Sequence, residues 1–140
     1  MNYTDTKIFL DTNIIAYIFD SRDALKKQQA KDIFKKLLLS DKCCISTQVL
    51  QELFNVLTKK LKYTKEEART IISDLMKIPV YQIKTADISL AMDLSIKTKF
   101  TIYDSLIIAA AKASNCTIVY SEDLNDGQCI DTVTVINPFK

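Results

Sequence analysis

Five short runs of the sequence, Lys7-Ile8-Phe9-Leu10, Cys43-Cys44-Ile45, Val80-Tyr81-Gln82-Ile83, Ile118-Val119-Tyr120 and Val133-Thr134-Val135-Ile136, read as β-strands that are apolar rather than alternating. A strand wetted on one face alternates polar with apolar, so these strands belong to a sheet covered on both faces, which in practice is a mostly parallel one. Helical patterns lie between them, as parallel connections require. Ile14 to Phe19 resumes as a helix after Asp11-Thr12-Asn13. Between Asp23 and Leu39 the apolar positions Ala30, Ile33, Phe34 and Leu37 recur at helical spacing. Ser46 or Thr47 starts a helix striped by Leu50, Leu53, Phe54, Leu57 and Leu61. Thr64-Lys65-Glu66-Glu67 fits a capping box for the next helix, which Pro79 stops. Thr85 is expected to cap a helix running to about Lys97, and another runs from about Tyr103 to Ala113. No linker, repeat or low-complexity segment interrupts the pattern. The prediction is a single α/β domain over residues 1–140: a three-layer sandwich, with a central sheet of four or five strands and helices on both faces.

A chain of 140 residues buries roughly two-thirds of the surface its unfolded form exposes, enough for a core without disulfides or structural metal. Composition then excludes chemistry. With no histidine, Ser-His-Asp and Cys-His catalysis and histidine acid–base ribonuclease chemistry are ruled out, and a typical zinc hydrolase is disfavoured. Gly127 is the single glycine, so neither a P-loop nor a dinucleotide-binding turn can be assembled. Cys43, Cys44, Cys116 and Cys129 form no C-x-x-C pair and have apolar neighbours; they are expected to be reduced thiols of a cytoplasmic protein. No apolar run approaches the ~18 residues of a membrane span. The net charge of +2 gives no overall basic excess, so the distribution of charge matters more than its total. Lys27, Lys31 and Lys35, at steps of four, form a basic helix edge, and Lys59, Lys60 and Lys62 a second cluster.

In a parallel sheet, ligands bind beyond the carboxyl ends of the strands, which directs attention to acids that follow strands or begin neighbouring helices. Asp11 follows the first strand and suits either a helix N-cap or a ligand. Glu52 lies about 200° around the helical wheel from Leu50, at ~100° per residue, and by that criterion is an ordinary solvated glutamate. Asp104 either completes a capping box begun by Thr101 or presents a carboxylate at the start of an all-apolar helix, Leu106-Ile107-Ile108-Ala109-Ala110-Ala111. In the second case it needs a partner against desolvation, which a divalent cation supplies. Ser121-Glu122-Asp123-Leu124-Asn125-Asp126-Gly127 follows the fourth strand and is either a polar loop or a third group of ligands. Jointly these acids fall on one edge of the sheet, where like charges raise each other's pKa unless a cation neutralises them. An all-oxygen donor set selects Mg²⁺ or Mn²⁺ over zinc.

Asp11-Thr12-Asn13, Ser46-Thr47-Gln48-Val49-Leu50-Gln51-Glu52, Tyr103-Asp104-Ser105-Leu106-Ile107 and Ser121-Glu122-Asp123-Leu124-Asn125-Asp126-Gly127 resemble, in order, the four motifs of PIN-domain ribonucleases. The resemblance spans the chain and is closest to the small bacterial single-domain members, including VapC-type toxins; the ending Val135-Ile136-Asn137-Pro138-Phe139 is similar to one branch of them. It implies that Asp11, Glu52 and Asp104 are metal-binding and catalytic acids, and it is what raises Glu52 above the wheel reading. Here Ser-Glu-Asp replaces the more usual Thr-x-Asn or Thr-x-Asp, so Asp123 and Asp126 both match the fourth acid, Asp123 ranking first. Thr12, Asn13, Ser46 and Ser121 match supporting polar positions, Asn13 and Ser46 being equally readable as caps. The implied activity is Mg²⁺- or Mn²⁺-dependent endonucleolytic hydrolysis of single-stranded RNA, leaving 5′-phosphate and 3′-hydroxyl ends, with Lys27, Lys31 and Lys35, together with the second cluster Lys59, Lys60 and Lys62, as candidates for contacting the RNA backbone. The implied partners are an antitoxin protein and a second copy in a homodimer. A housekeeping RNA-processing nuclease and a non-catalytic PIN interaction module share the same motifs. A haloacid-dehalogenase-type phosphatase needs an aspartate where Asn13 stands, and a receiver domain needs an acidic pair near the amino terminus where Asp11 stands alone.

Overall fold

The computed structural model describes residues 6–140. The order is β1 (Lys7–Leu10), α1 (Thr12–Ala16), a 3₁₀ turn (Tyr17–Phe19), α2 (Ala24–Leu39), β2 (Cys43–Ser46), α3 (Thr47–Asn55), a π turn (Val56–Lys60), α4 (Lys65–Leu75), β3 (Val80–Tyr81), α5 (Thr85–Lys97), α6 (Ile102–Ala113), β4 (Cys116–Tyr120), β5 (Cys129–Ile130) and β6 (Val133–Ile136). The strands form one sheet in the order β3-β2-β1-β4-β6-β5, flanked by helices. All pairings are parallel except β5 with β6. The sheet therefore has one strand more than the apolar runs suggested. β5 is only two residues long and pairs antiparallel across a tight connection, and so short a strand shows no periodicity.

β1 is central, registered against β2 through Ile8↔Cys43 and Phe9↔Cys44 and against β4 through Phe9↔Val119 and Leu10↔Tyr120. Phe9, Leu10, Ile45 and Val119 are fully buried, which is why these strands carry no polar alternation. α6 is buried through Ile107 to Ala111, as its all-apolar sequence required. All four cysteines are free, three of them buried.

Helix starts follow the local chemistry. Asp23 caps α2, and Thr64 and Glu67 complete the reciprocal capping box on α4. Thr85 is the first residue of α5 and not its cap. The Lys84 N–H is satisfied by the Asp87 carboxylate at 2.8 Å, which also accepts from the Tyr81 hydroxyl at 2.6 Å. The helix striped by leucines does not run straight to Leu61: beyond Asn55 it widens into the π turn, closed by Leu61 N–H donating to Val56 O at 3.0 Å. Among the described residues no helix is long and apolar enough to cross a membrane.

Candidate active site

A cavity of about 270 Å³ opens at the carboxyl ends of β1 and β4, lined among others by Asp11, Glu52, Asp104 and Asp123. Each of these acids arrives on a different element. Asp11 ends β1 and caps α1, its Oδ1 accepting from the Thr12 N–H at 2.7 Å. The N-cap and the site reading thus hold together, because the second oxygen, Oδ2, faces other partners: Ser121 Oγ donates to it at 2.7 Å and Asn13 Nδ2 at 3.5 Å. Ser121, fully buried, also accepts from the N–H groups of Asp123 and Leu124 at 3.2 and 3.4 Å. One hydroxyl therefore ties the turn after β4 to the carboxylate after β1. Asn13 adds a second tie by accepting from the Glu122 N–H at 3.3 Å.

Glu52 reaches the cavity from the side of α3 opposite its apolar stripe. Thr12 Oγ1 donates to Glu52 Oε1 at 2.9 Å. One turn back on the same helix, Gln48 Nε2 donates to the Tyr103 carbonyl at 3.0 Å, holding α3 against the first turn of α6 where Asp104 sits. A helical wheel cannot distinguish a polar face turned to solvent from one turned to a polar cavity, so Glu52 had no signal of its own. Asp104 makes half a capping box: its N–H donates to Thr101 Oγ1 at 3.1 Å, and its half-buried carboxylate is left for the cavity.

Two further acids line the same cavity, and they differ from these four. Asp20 is held by Arg22 through two hydrogen bonds of 2.8 and 2.7 Å, whose pull lowers its carboxyl to about 2. Glu122 accepts from Lys26 and from the Tyr17 hydroxyl. Burial alone would raise it, but these bonds and the Lys26 charge keep it below the usual glutamate range. Lys26 lies over the rings of Tyr17 and Phe139 at 4.7 and 5.5 Å, and those rings meet edge to face at 5.4 Å. By contrast, among the described residues no ion pair involves Asp11, Glu52, Asp104 or Asp123.

The electrostatic cost appears in the titration of Asp11 and Glu52. Asp11 is 6% exposed, and burial pushes its carboxyl up to about 6; hydrogen bonds from Ser121 and Thr12 counteract this, while the charges of Glu52 and Asp123 add to it. Glu52 is raised for the same first reason, burial, with Thr12 and Gln48 lowering it and Asp104 and Asp123 raising it. Among the described residues no three acidic or thiol groups are drawn together tightly enough to ligate one ion as they stand.

Several residues singled out in the sequence lie elsewhere. Asp126 does not line the cavity; its Oδ1 accepts from the Asn137 N–H at 2.8 Å, binding the turn to the chain that leaves β6. Ser46 is fully buried and caps α3 through the Val49 N–H at 3.4 Å. Lys31 and Lys35 are exposed on α2, and Lys27 donates to Ser21 Oγ at 2.9 Å; none of the three lines the cavity. The basic edge of α2 is real, but it is Lys26 that meets the cavity wall through Glu122, and Lys60 of the second cluster that lines the cavity. Tyr17, Lys26 and Phe139 are the residues the sequence did not disclose, since they are brought together only by the return of the chain after β6.

Because Ser121 serves one carboxylate and two amides, Ser121→Ala should cost about 1–3 kcal/mol, the range for leaving buried polar groups unsatisfied. Urea denaturation should show this as a lower midpoint at an unchanged slope. A midpoint equal to the parent's would mean that water replaces the hydroxyl.

None of the curated proteins compared with the chain matches it. Solved structures do. VapC20 of Mycobacterium tuberculosis, a toxin that cleaves the sarcin–ricin loop, superposes with a TM-score of 0.66 at 18% identity, over 84% of this chain and 90% of that one. A toxin–antitoxin complex from Klebsiella pneumoniae gives 0.69 at 20% identity over 95% and 98%, and DNA-bound VapBC from Salmonella typhimurium 0.68 at 18% over 93% and 96%. At such identities the likeness is one of fold. The model of the PIN domain family matches residues 8–125, a span running from β1 through the Ser121 turn and so containing every acid of the cavity, and the chain accordingly belongs to the PIN domain family.

Proposed function

We propose that this protein is a divalent-metal-dependent endoribonuclease that hydrolyses single-stranded RNA, and that it is the toxin of a toxin–antitoxin pair. The observation that carries the reading is the sorting of acids within one cavity. Asp20 and Glu122 each have a cation from the protein, whereas Asp11, Glu52, Asp104 and Asp123 have none. Burying a carboxylate without a counter-charge is costly; Asp11 is buried and Glu52 half-buried on those terms, and with Asp104 and Asp123 beside them the four form a group that a cation from solution would complete. All-oxygen donors suit Mg²⁺ or Mn²⁺, and Asp11, Glu52, Asp104 and Asp123 would hold it. When bound, such an ion lowers the pKa of water and neutralises charge on a phosphoryl group.

The chain's own residues do the rest. Thr12 orients Glu52 by donating to Oε1, and Asp11 is held through both oxygens, Oδ1 by the Thr12 N–H and Oδ2 by Ser121 and Asn13. Tyr103, 65% exposed on the cavity wall, offers an aromatic face for stacking an unpaired base, which favours single strands over duplex. Tyr103→Ala should therefore raise KM with little change in kcat, by an affinity loss of about 1–3 kcal/mol. An unchanged KM would remove Tyr103 from the substrate path.

The toxin assignment is supported by the fold likeness to VapC20 and to the toxins of toxin–antitoxin complexes. The antitoxin is proposed to bind near the acidic cavity, and the protein to pair as a homodimer. The test is incubation of the purified protein with mixed-sequence single-stranded RNA in Mg²⁺, Mn²⁺ or EDTA. Cutting that leaves 5′-phosphate ends and stops in EDTA supports the nuclease; no cutting and no metal binding by calorimetry favours a non-catalytic PIN module. Growth arrest on expression alone, relieved by the small protein encoded beside it, supports the toxin over an RNA-processing enzyme.

A further inference from the structure

A second cleft of about 300 Å³ adjoins the acidic cavity, and Asp20, Lys60 and Leu61 line both. Its other walls include Phe19, Arg22, Lys62 and Tyr63. The two spaces are opposite in charge: the first gathers unpaired carboxylates, the second gathers Arg22, Lys60 and Lys62 against the single carboxylate of Asp20. We propose that this basic cleft is a subsite for a backbone phosphate of the RNA strand, next to the bond cut in the acidic cavity. The inference rests on the nuclease reading and extends it by assigning the path of the strand.

Three features make the cleft a built one. Asp20 grips Arg22 Nε and one terminal nitrogen, at 2.8 and 2.7 Å, which fixes the guanidinium plane while the side chain stays 62% exposed; its remaining N–H groups are free for a phosphate, the ligand this fork suits. The floor is rigid. Phe19 and Tyr63 meet edge to face at 6.4 Å, and the Tyr63 hydroxyl donates to the Phe19 carbonyl at 2.8 Å. The lysines stand on the π turn and its exit, closed by Leu61 N–H to Val56 O at 3.0 Å and Tyr63 N–H to Leu57 O at 2.9 Å, and π turns recur at functional sites. Lys62 has φ +64°; the other non-glycine residues with positive φ among those described are Asp41, Asn115 and Asp131. Aspartate and asparagine tolerate that conformation, and lysine is not favoured there. A long basic side chain held at a strained position beside the site is what a charge requirement there would retain.

The strand would thus run from positive cleft to acidic cavity, with Lys60 at the junction. The test uses an Asp11→Asn/Asp104→Asn background, which cannot cut and repels RNA less, with a labelled mixed-sequence single-stranded RNA and no divalent ion. Binding is followed by anisotropy over a series of salt concentrations. Each phosphate contact contributes ~0.7 to the slope of log K against log salt for single strands, so Lys60→Gln/Lys62→Gln should flatten the slope by about 1.4 at two contacts. Lys60→Arg/Lys62→Arg should restore it, and Lys31→Gln/Lys35→Gln on α2 should leave it unchanged. RNA binding with a slope indifferent to Lys60 and Lys62, or equally sensitive to Lys31 and Lys35, overturns the subsite and leaves the nuclease reading standing. No RNA binding by the background protein at any salt overturns the subsite, while the nuclease reading stands or falls on cutting by the unsubstituted protein in Mg²⁺ or Mn²⁺.

Discussion

Asp104→Asn should abolish metal-dependent RNA cleavage, lowering kcat on the order of 10²–10³-fold or more, the scale seen when one electrostatic stabiliser of a transition state is removed. The expectation is specific because the substitution is structurally quiet. The Asp104 N–H bonded to Thr101 is backbone and survives, and the carboxylate does not complete the capping box, so circular dichroism and melting should match the parent. Asp11→Asn should lose cleavage to the same degree while melting higher. Asp11 is almost wholly buried and titrates at about 6 instead of 3.8, a gap equivalent to about 3 kcal/mol of unfavourable charge burial at neutral pH. The neutral amide removes that penalty and forfeits about 1 kcal/mol for a poorer acceptor toward Ser121 or Thr12. A variant more stable and inactive is the signature of a site held against the interest of the fold. Cleavage at the parental rate by Asp104→Asn would take Asp104 out of the mechanism.

Divalent cations should raise the melting temperature, and more at pH 7.5 than at pH 5. Since the folded-state pKa of Asp11 lies above its unfolded value, its contribution to stability is fully present below about pH 3.8 and is lost as pH rises through about 6. Glu52 shifts in the same direction. Asp20, lowered to about 2, acts oppositely, and its stabilisation is lost only in stronger acid; between about pH 4.5 and 6.5 Asp11 and Glu52 dominate. Without metal the protein should therefore lose stability as pH rises across that window. A cation between the carboxylates reverses the trend: at a hundredfold excess over Kd it adds about 2.7 kcal/mol, or about 8–10 °C for a domain of this size. At pH 5 protons compete and the shift should shrink. Asp11→Asn/Asp104→Asn should show almost none at either pH, and an equal shift in that variant would place the ion elsewhere.

How much of this was written in the sequence depends on whether the signal is local. β1, β2 and β4 are short apolar runs between turn residues, and Thr64 and Glu67 form a box within four positions; such patterns need no tertiary knowledge. Asp11 and Asp104 could be suspected because each stands at an element boundary. Glu52 could not, since its face of α3 is polar whether it meets water or a cavity, and only the family resemblance raised it. Asp123 and Asp126 were equivalent on motif spacing, and the Asn137 N–H, which occupies Asp126, comes from a segment that follows another strand. The lysines show the same limit. A stripe at steps of four marks an edge of α2 but not the direction it faces, whereas Lys60 is turned toward the cavity by a π turn that leaves no mark in the hydrophobic period.

The pairing of β1 with β4 also sets a clock. Lys7 to Leu10 register against Cys116 to Tyr120, so the first strand of the chain must wait for one of the last, and parallel pairings at such separation form slowly. Until β4 docks, Asp11 has neither Ser121 to hold its oxygen nor Asp123 beside it. During synthesis from the amino terminus, the carboxylate group therefore cannot exist before nearly the whole domain has emerged. Whatever the finished site does, it is absent for most of the time the chain takes to make.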